Sequence, residues 1–226
     1  MEWIPSLTRS ERITIGTYED PLFVQAWKEQ HSNPRYQSGQ LRKWFDAFRE
    51  RLPEGRIIDI GCGPGLATRL FVDAGYEYVG MDRSGIMISE AIKDNPQAKF
   101  FQADFYAIGS RGDAFDGFWA STSFLHARKG RVHYVLQEVH RVVRPGGIGF
   151  VSMRTKLHLH HNIELIESVS YAPGKRRLMV YYELHGFANI LESNGFEVVH
   201  ERKDWSLYND KPGEDDIYLC YFVRRL

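Results

Sequence analysis

The stretch Ile57-Ile-Asp-Ile-Gly-Cys-Gly-Pro-Gly-Leu-Ala-Thr68 decides the fold. Its apolar, β-branched residues frame Asp59 and read as a buried strand closed by turn signals. Gly61, Gly63 and Gly65 then alternate, and a helix-forming stretch follows at once. Glycine permits a sharp turn and, lacking a Cβ, lets the backbone come close to a ligand. Strand, glycine turn and helix in that order can cradle a nucleotide. An ordinary glycine-rich connection would look the same locally, so the rest of the chain has to decide.

Two more acids carry the argument further. Asp82 ends the strand-like run Tyr76-Glu-Tyr-Val-Gly-Met-Asp82, roughly 20 residues beyond the turn, where a carboxylate can accept from both ribose hydroxyls. Asp104 ends Lys99-Phe-Phe-Gln-Ala-Asp104, and Phe105 follows. That acid can accept from an adenine amino group while the aromatic neighbour covers the ring. Phe115-Asp-Gly-Phe-Trp-Ala-Ser121 reads as a fourth strand. Val142-Val-Arg-Pro-Gly-Gly-Ile-Gly-Phe-Val-Ser152 reads as a helix end, a stop and a fifth strand.

On these residues the chain resembles the class I S-adenosylmethionine-dependent methyltransferases, in their small-molecule branch. Asp59 to Gly65 resembles the family's nucleotide loop, Asp82 its ribose acid and Asp104-Phe105 its adenine pair. Leu136-Gln-Glu-Val-His-Arg-Val-Val-Arg-Pro-Gly-Gly147 and Leu191-Glu-Ser-Asn-Gly-Phe-Glu-Val-Val199 resemble two later elements. The resemblance spans about residues 50 to 226 and implies S-adenosyl-L-methionine as cofactor and methyl transfer as the reaction. It further implies that Asp59, Gly61, Cys62, Gly63, Gly65, Asp82, Arg83, Met87, Asp104, Phe105, Ala120 and Ser121 form the cofactor site.

The expected architecture is a Rossmann-like, seven-stranded, mostly parallel sheet with helices on both faces. Strands at 57–60, 77–81, 99–102, 115–120 and 147–153 alternate with helices at 64–74, 84–93 and 130–143. Ser84 is a plausible N-cap. A helix at 183–193, closed by Asn194-Gly195, precedes strands 196–203 and 216–224. No helix separates those two, so they pair as a hairpin and one strand runs antiparallel. Helices are expected at 21–30 and 39–52; the resemblance implies that residues 1–50 form a helical lid and residues 51–226 the core. A hairpin around Pro173-Gly174 is inserted at about 154–182.

With 226 residues and 43% apolar content, the chain suits one α/β domain with appendages. Lys plus Arg and Asp plus Glu stand at 29 each, so no general pull toward nucleic acid or anionic membrane exists. Cys62 and Cys220 read as reduced, buried thiols. The start, Met1-Glu-Trp-Ile-Pro, has neither a basic nor an apolar leader region, and a cytoplasmic protein is expected.

His126, in the loop after the fourth strand, is the candidate general base. The acceptor pocket is expected between the N-terminal helices, the Ser121–His126 loop and the inserted hairpin. Its candidates are Tyr18, Tyr36, Arg154, Tyr171, Arg177 and Tyr182, with Trp27 and Met153 beside them. Lys175-Arg-Arg177 is either a solvated edge or an anion site. His158, His160 and His161 fit no metal-ligand spacing, so no metal is expected. An NAD-linked oxidoreductase fits worse: the third glycine comes one residue early and Asp104-Phe105 has no role in it. An RNA methyltransferase is favoured only by the basic Arg128–Arg144 region. A non-catalytic binding module on the same fold would have little use for the three acids Asp59, Asp82 and Asp104.

Overall fold

The computed structural model describes residues 6–31, 36–156, 159–183, 185–205 and 216–226, with the backbone alone at 36–38, 205 and 216. Seven strands build the main sheet: β1 (Arg56–Ile60), β2 (Glu77–Asp82), β3 (Lys99–Gln102), β4 (Phe115–Ser121), β5 (Val143–Lys156), β8 (Phe196–Trp205) and β9 (Asp216–Arg225). A separate hairpin is made of β6 (Ile163–Ser168) and β7 (Arg176–Tyr181). The sheet order is β3-β2-β1-β4-β5-β9-β8. Every pairing is parallel except those of β9, which runs antiparallel to both β5 and β8. The single reversed strand expected from sequence is therefore β9.

The helices are α1 (Arg9–Tyr18), α2 (Pro21–His31), α3 (Arg42–Arg51), α4 (Thr68–Asp73), α5 (Gly85–Asp94), α6 (Val132–Val142) and α7 (Gly186–Ser193). A π-helical turn, Tyr36–Leu41, leads into α3. Each helix buries a stripe at helical spacing. On one face of the sheet α6 inserts Val132, Val135, Leu136, Val139 and Val142, joined by Phe187 and Leu191 of α7. On the other, Trp44, Phe45 and Phe48 of α3 meet Phe71 of α4 and Trp119 and Phe150 of the sheet.

Three local readings are corrected. The helix expected over 64–74 begins only at Thr68, because Gly61, Gly63 and Gly65 all take positive φ and residues between them form turns. Pro145, Gly146 and Gly147 do not precede β5 but bulge within it: Phe115 pairs with Val143 and Gly117 already with Ile148. The N-terminal segment holds an additional helix, α1, started by a capping box in which Thr8 and Glu11 exchange hydrogen bonds. Ser84 caps α5 as expected, accepting from the Met87 amide at 3.1 Å.

The N-terminal helices are pinned across the carboxyl ends of the strands. Ser84 Oγ donates to the Tyr18 carbonyl at 2.7 Å, and the Gly85 amide donates to Glu19 at 2.9 Å. The Leu178 amide of β7 donates to Thr14 Oγ1 at 2.7 Å. Glu11, buried, pairs with Arg131 at 2.5 Å and accepts from Tyr106 at 2.9 Å. Helix α1 and the hairpin thus enclose the end of the sheet where α/β folds bind ligands.

Candidate active site

One cavity of about 680 Å³ opens over the carboxyl ends of β1, β2, β4 and β5, and α1, α2 and the β6–β7 hairpin wall it in. That volume lies in the ordinary range for small-molecule sites. The first wall is the glycine turn. The amides of Gly61 and Cys62 both donate to the Met81 carbonyl, at 2.8 and 2.9 Å, which ties the turn to β2. A Cβ on Gly61 would stand 2.4 Å from Cβ of Ser123, so only glycine lets the two loops meet. Gly63 is different: the nearest atom to a Cβ there is 3.9 Å away on Trp27, and the residue faces the cavity.

Asp82 accepts from the Gly63 amide at 2.9 Å and from the Ser84 amide at 2.8 Å. A carboxylate has about four acceptor positions, so two remain for a ligand. Burial nevertheless raises its pKa. Asp59, 3% exposed, accepts from the Tyr78 hydroxyl at 2.7 Å. Burial pushes its pKa up to about 7, and the nearby Asp82 adds to the shift. Asp104 pairs with Arg83 and accepts from the Tyr106 amide at 3.0 Å. Phe105 leans edge-on against Tyr106 beside it. Met87, Cys62 and Ser121 complete this part of the wall. The Cys62 thiol is buried and its pKa is pushed well up, which makes it a filler, not a nucleophile.

The opposite part of the cavity carries Tyr18, Trp27, His31, His126, Arg154, Tyr171 and Arg177. His126 is fixed on both sides. Its Nδ1 lies 2.7 Å from the Leu178 carbonyl, which can only accept, so Nδ1 carries the proton. Its Nε2 lies 3.0 Å from the Tyr18 hydroxyl and accepts from it. Burial, with Arg177 next in importance, pushes the imidazole pKa down to about 3. The ring is therefore neutral, and Tyr18 already uses the lone pair that a general base would offer.

Four candidates from the sequence stand off this cavity. Ala120 and Met153 are fully buried in the core, because side chains alternate across a strand and their neighbours Trp119, Ser121 and Arg154 take the cavity side. Gly65 faces Asn95 and Thr68, both within 2.9 Å of where a Cβ would be; its place is tight packing under the turn. Tyr182 packs its ring on Phe187 in the core. The side chain of Tyr36, and His158, lie outside the described residues, while His160 and His161 are exposed. Among the described residues, no cluster of acids, histidines and cysteines has metal-binding geometry.

Sequence reasoning passed over several wall residues: Glu11, Thr14, Trp119, Glu167 and Tyr218. The Thr8–Glu11 spacing signals a helix start, yet nothing local points Glu11 toward Tyr106 and Arg131. Trp119 Nε1 and Ser123 Oγ are sealed from solvent on the cavity wall without a hydrogen-bond partner. Orphaned polar atoms of this kind suit a ligand with its own donors and acceptors.

Residues 57–147 match the family model described as a methyltransferase domain, which spans the glycine turn, all three acids and the stretch into β5. Together with the curated relatives, this match supports a class I S-adenosylmethionine-dependent methyltransferase domain over those residues. Among curated proteins it is similar to malonyl-(acyl-carrier protein) O-methyltransferase of Enterobacter lignolyticus (strain SCF1), 33% identical over 51% of this chain and 47% of that one. The chain spans about half the length of the curated relatives it matches, 47%, 57% and 36% for three of them. Among solved structures, the cyclase SpnF aligns with a TM-score of 0.76 at 20% identity, over 99% of both chains. Burkholderia thailandensis 1,6-didemethyltoxoflavin-N1-methyltransferase, solved with its acceptor and S-adenosylhomocysteine, aligns with a TM-score of 0.70 at 15% identity, over 99% and 93%. These two likenesses show the methyltransferase fold over nearly the whole chain. One neighbour being a cyclase shows that fold alone does not choose the reaction.

Proposed function

We propose that this protein transfers a methyl group from S-adenosylmethionine to a small-molecule acceptor. The observation that carries the reading is the shared cavity: Asp59, Gly63, Asp82 and Asp104 line one part, and Tyr18, His126, Arg154 and Arg177 line the next. In this reading Asp82 takes the ribose hydroxyls, Asp104 and Phe105 the adenine, and Asp59 with the Gly61–Gly63 backbone the amino-acid end. When bound, the cofactor supplies an electrophilic methyl on a sulfonium, open to in-line displacement.

The chain's own residues then orient two ligands and exclude water, and proximity of that kind can lower a barrier by about 7–11 kcal/mol. Helices α1 and α2 act as the cover of the site, the lid of the domain, with residues 51–226 as its core. Tyr18 and His126 act as positioning groups, since the imidazole is neutral and both its nitrogens are engaged. An enclosed cavity with aromatic walls favours a small acceptor over a polynucleotide. The name of the Enterobacter relative adds an acyl group on a carrier protein as one form such an acceptor can take. Incubation with methyl-labelled S-adenosylmethionine and small-molecule extract, acyl-carrier thioesters or total RNA tests the proposal. Label in a small-molecule or thioester fraction supports it; label in RNA alone, or in none, refutes it.

A further inference from the structure

We propose that the end of the cavity beside β5 and β7 is an anion subsite, in which Arg177, with Arg154 next to it, holds the carboxylate or phosphate of an acidic acceptor. The proposal rests on the methyltransferase reading above and names the chemical class of its acceptor.

Arg177 carries the argument. Its Nε is sealed from solvent and has no hydrogen-bond partner. Its Nη1 reaches only the Tyr18 hydroxyl, at 3.3 Å. Among the described residues no carboxylate forms an ion pair with it, whereas Arg83, Arg128, Arg131 and Arg144 each meet one. Glu167, opposite it across the hairpin, bears on it electrostatically but makes no ion-pair contact with it, and its Oε1 accepts from the Tyr181 hydroxyl at 2.5 Å. A half-buried guanidinium is costly to leave uncompensated, because desolvation is repaid only by a close counter-charge. This one faces a cavity, so a ligand can bring that charge.

The surroundings agree. Arg154 projects from the carboxyl half of β5 into the same cavity. Both guanidiniums bear on His126 and His31, and they add to burial in holding those rings neutral, with pKa values of about 3 and about 4. The Tyr171 hydroxyl is buried beside Arg177 without a hydrogen bond of good geometry. Across the sheet, on the β2 and β3 side, the wall instead carries Asp82, Asp104, Glu11 and Glu19. Acids thus outnumber cations where a cationic cofactor is read, with Arg83 paired to Asp104, and Arg154, Lys156 and Arg177 outnumber Glu167 where the acceptor is read. Guanidinium forks match planar carboxylates and phosphates in two-point contacts. Trp27, stacked on His31 at 3.9 Å, and Tyr171 offer flat apolar walls for the body of such an acid.

The test is calorimetric titration of the protein, saturated with S-adenosylhomocysteine, with benzoate, phenyl phosphate and the neutral isostere benzamide. At least one anion should bind ten times more tightly than benzamide, and more weakly as salt is raised. Arg177→Gln and Arg154→Gln should each cost that anion about tenfold or more, with affinity for S-adenosylhomocysteine within about twofold of the parent. Equal binding of benzamide, no binding of either anion, or unchanged anion affinity in both variants would overturn the subsite. Should the variants lose their fold, the comparison of anions with benzamide on the parent protein decides alone. Failure to bind S-adenosylhomocysteine would count against the methyltransferase reading, and the same anions titrated without it would still read the subsite.

Discussion

The Tyr18 hydroxyl donates to Nε2 of His126 at 3.0 Å, while Nδ1 of the same ring donates to the Leu178 carbonyl at 2.7 Å. One imidazole thereby joins α1, the loop after β4 and β7, three segments far apart in the chain. Nη1 of Arg177, in β7, also donates to the Tyr18 oxygen, at 3.3 Å. Tyr18→Phe should keep the ring contacts to Phe23 and His126 while releasing the imidazole lone pair. Turnover of an identified acceptor should fall about tenfold or more, since small misplacements in a site are expensive in rate. Affinity for S-adenosylhomocysteine should change little. The rate should show no inflection near pH 6.5 in the parent, because a group with a pKa of about 3 is neutral throughout that range; rates measured from pH 5.5 to 8 check this.

Asp59 supplies a pH dependence of the opposite kind. Its folded pKa of about 7 lies above the ordinary value of 3.8, because burial favours the neutral acid. The stability this contributes is full below the ordinary value and is lost as pH rises through about 7. A ligand ammonium favours the ionised form. Affinity for S-adenosylhomocysteine should therefore rise between pH 6 and 8 while the ligand-free protein loses stability over that window. Asp59→Asn should flatten both trends, read by calorimetry and by thermal melts across pH.

The glycine turn separates packing from ligand access. Gly61→Ala puts a Cβ 2.4 Å from Ser123 at a φ of +76°, and should cost about 2–4 kcal/mol in denaturant unfolding. Gly63→Ala meets nothing closer than 3.9 Å, at a φ of +53°. It should cost only about 1–2 kcal/mol in stability yet weaken the cofactor, because the added methyl enters the cavity.

Glu11 ties α1 to Arg131 and Tyr106. With Arg131 at 2.5 Å and both side chains nearly buried, removing the carboxylate takes a close counter-charge from a buried guanidinium. Glu11→Ala should destabilise the fold by about 3–5 kcal/mol, seen as a lower denaturant midpoint. Unchanged stability would mean that α1 is not anchored through this pair.

The part of the cavity that carries the three acids is legible because it is local in sequence. Asp59, Asp82 and Asp104 sit at or just beyond strand ends, and a parallel sheet brings such positions to one edge by construction. The reversed β9 follows from a sequence that predicts no helix between 203 and 216. The misplacements of Ala120 and Met153 come from pleat parity: proximity to a strand end says nothing about which face a residue takes. Helix α1 is signalled by Thr8 and Glu11, but its short amphipathic stripe is weak. The environment of Arg177 and the double anchoring of His126 depend on contacts across more than fifty residues, which no local pattern carries.

Binding of the cofactor product tests the central claim most directly. S-Adenosylhomocysteine titrated calorimetrically into the parent protein and Asp82→Ala, with NAD as the control, should give one site in the parent. The variant should lose about tenfold or more, since each charge-assisted hydrogen bond to a ribose hydroxyl is worth about 1.5–3 kcal/mol. NAD should give no heat of binding. Binding of NAD without S-adenosylhomocysteine, or an equal dissociation constant for parent and variant, would contradict the account.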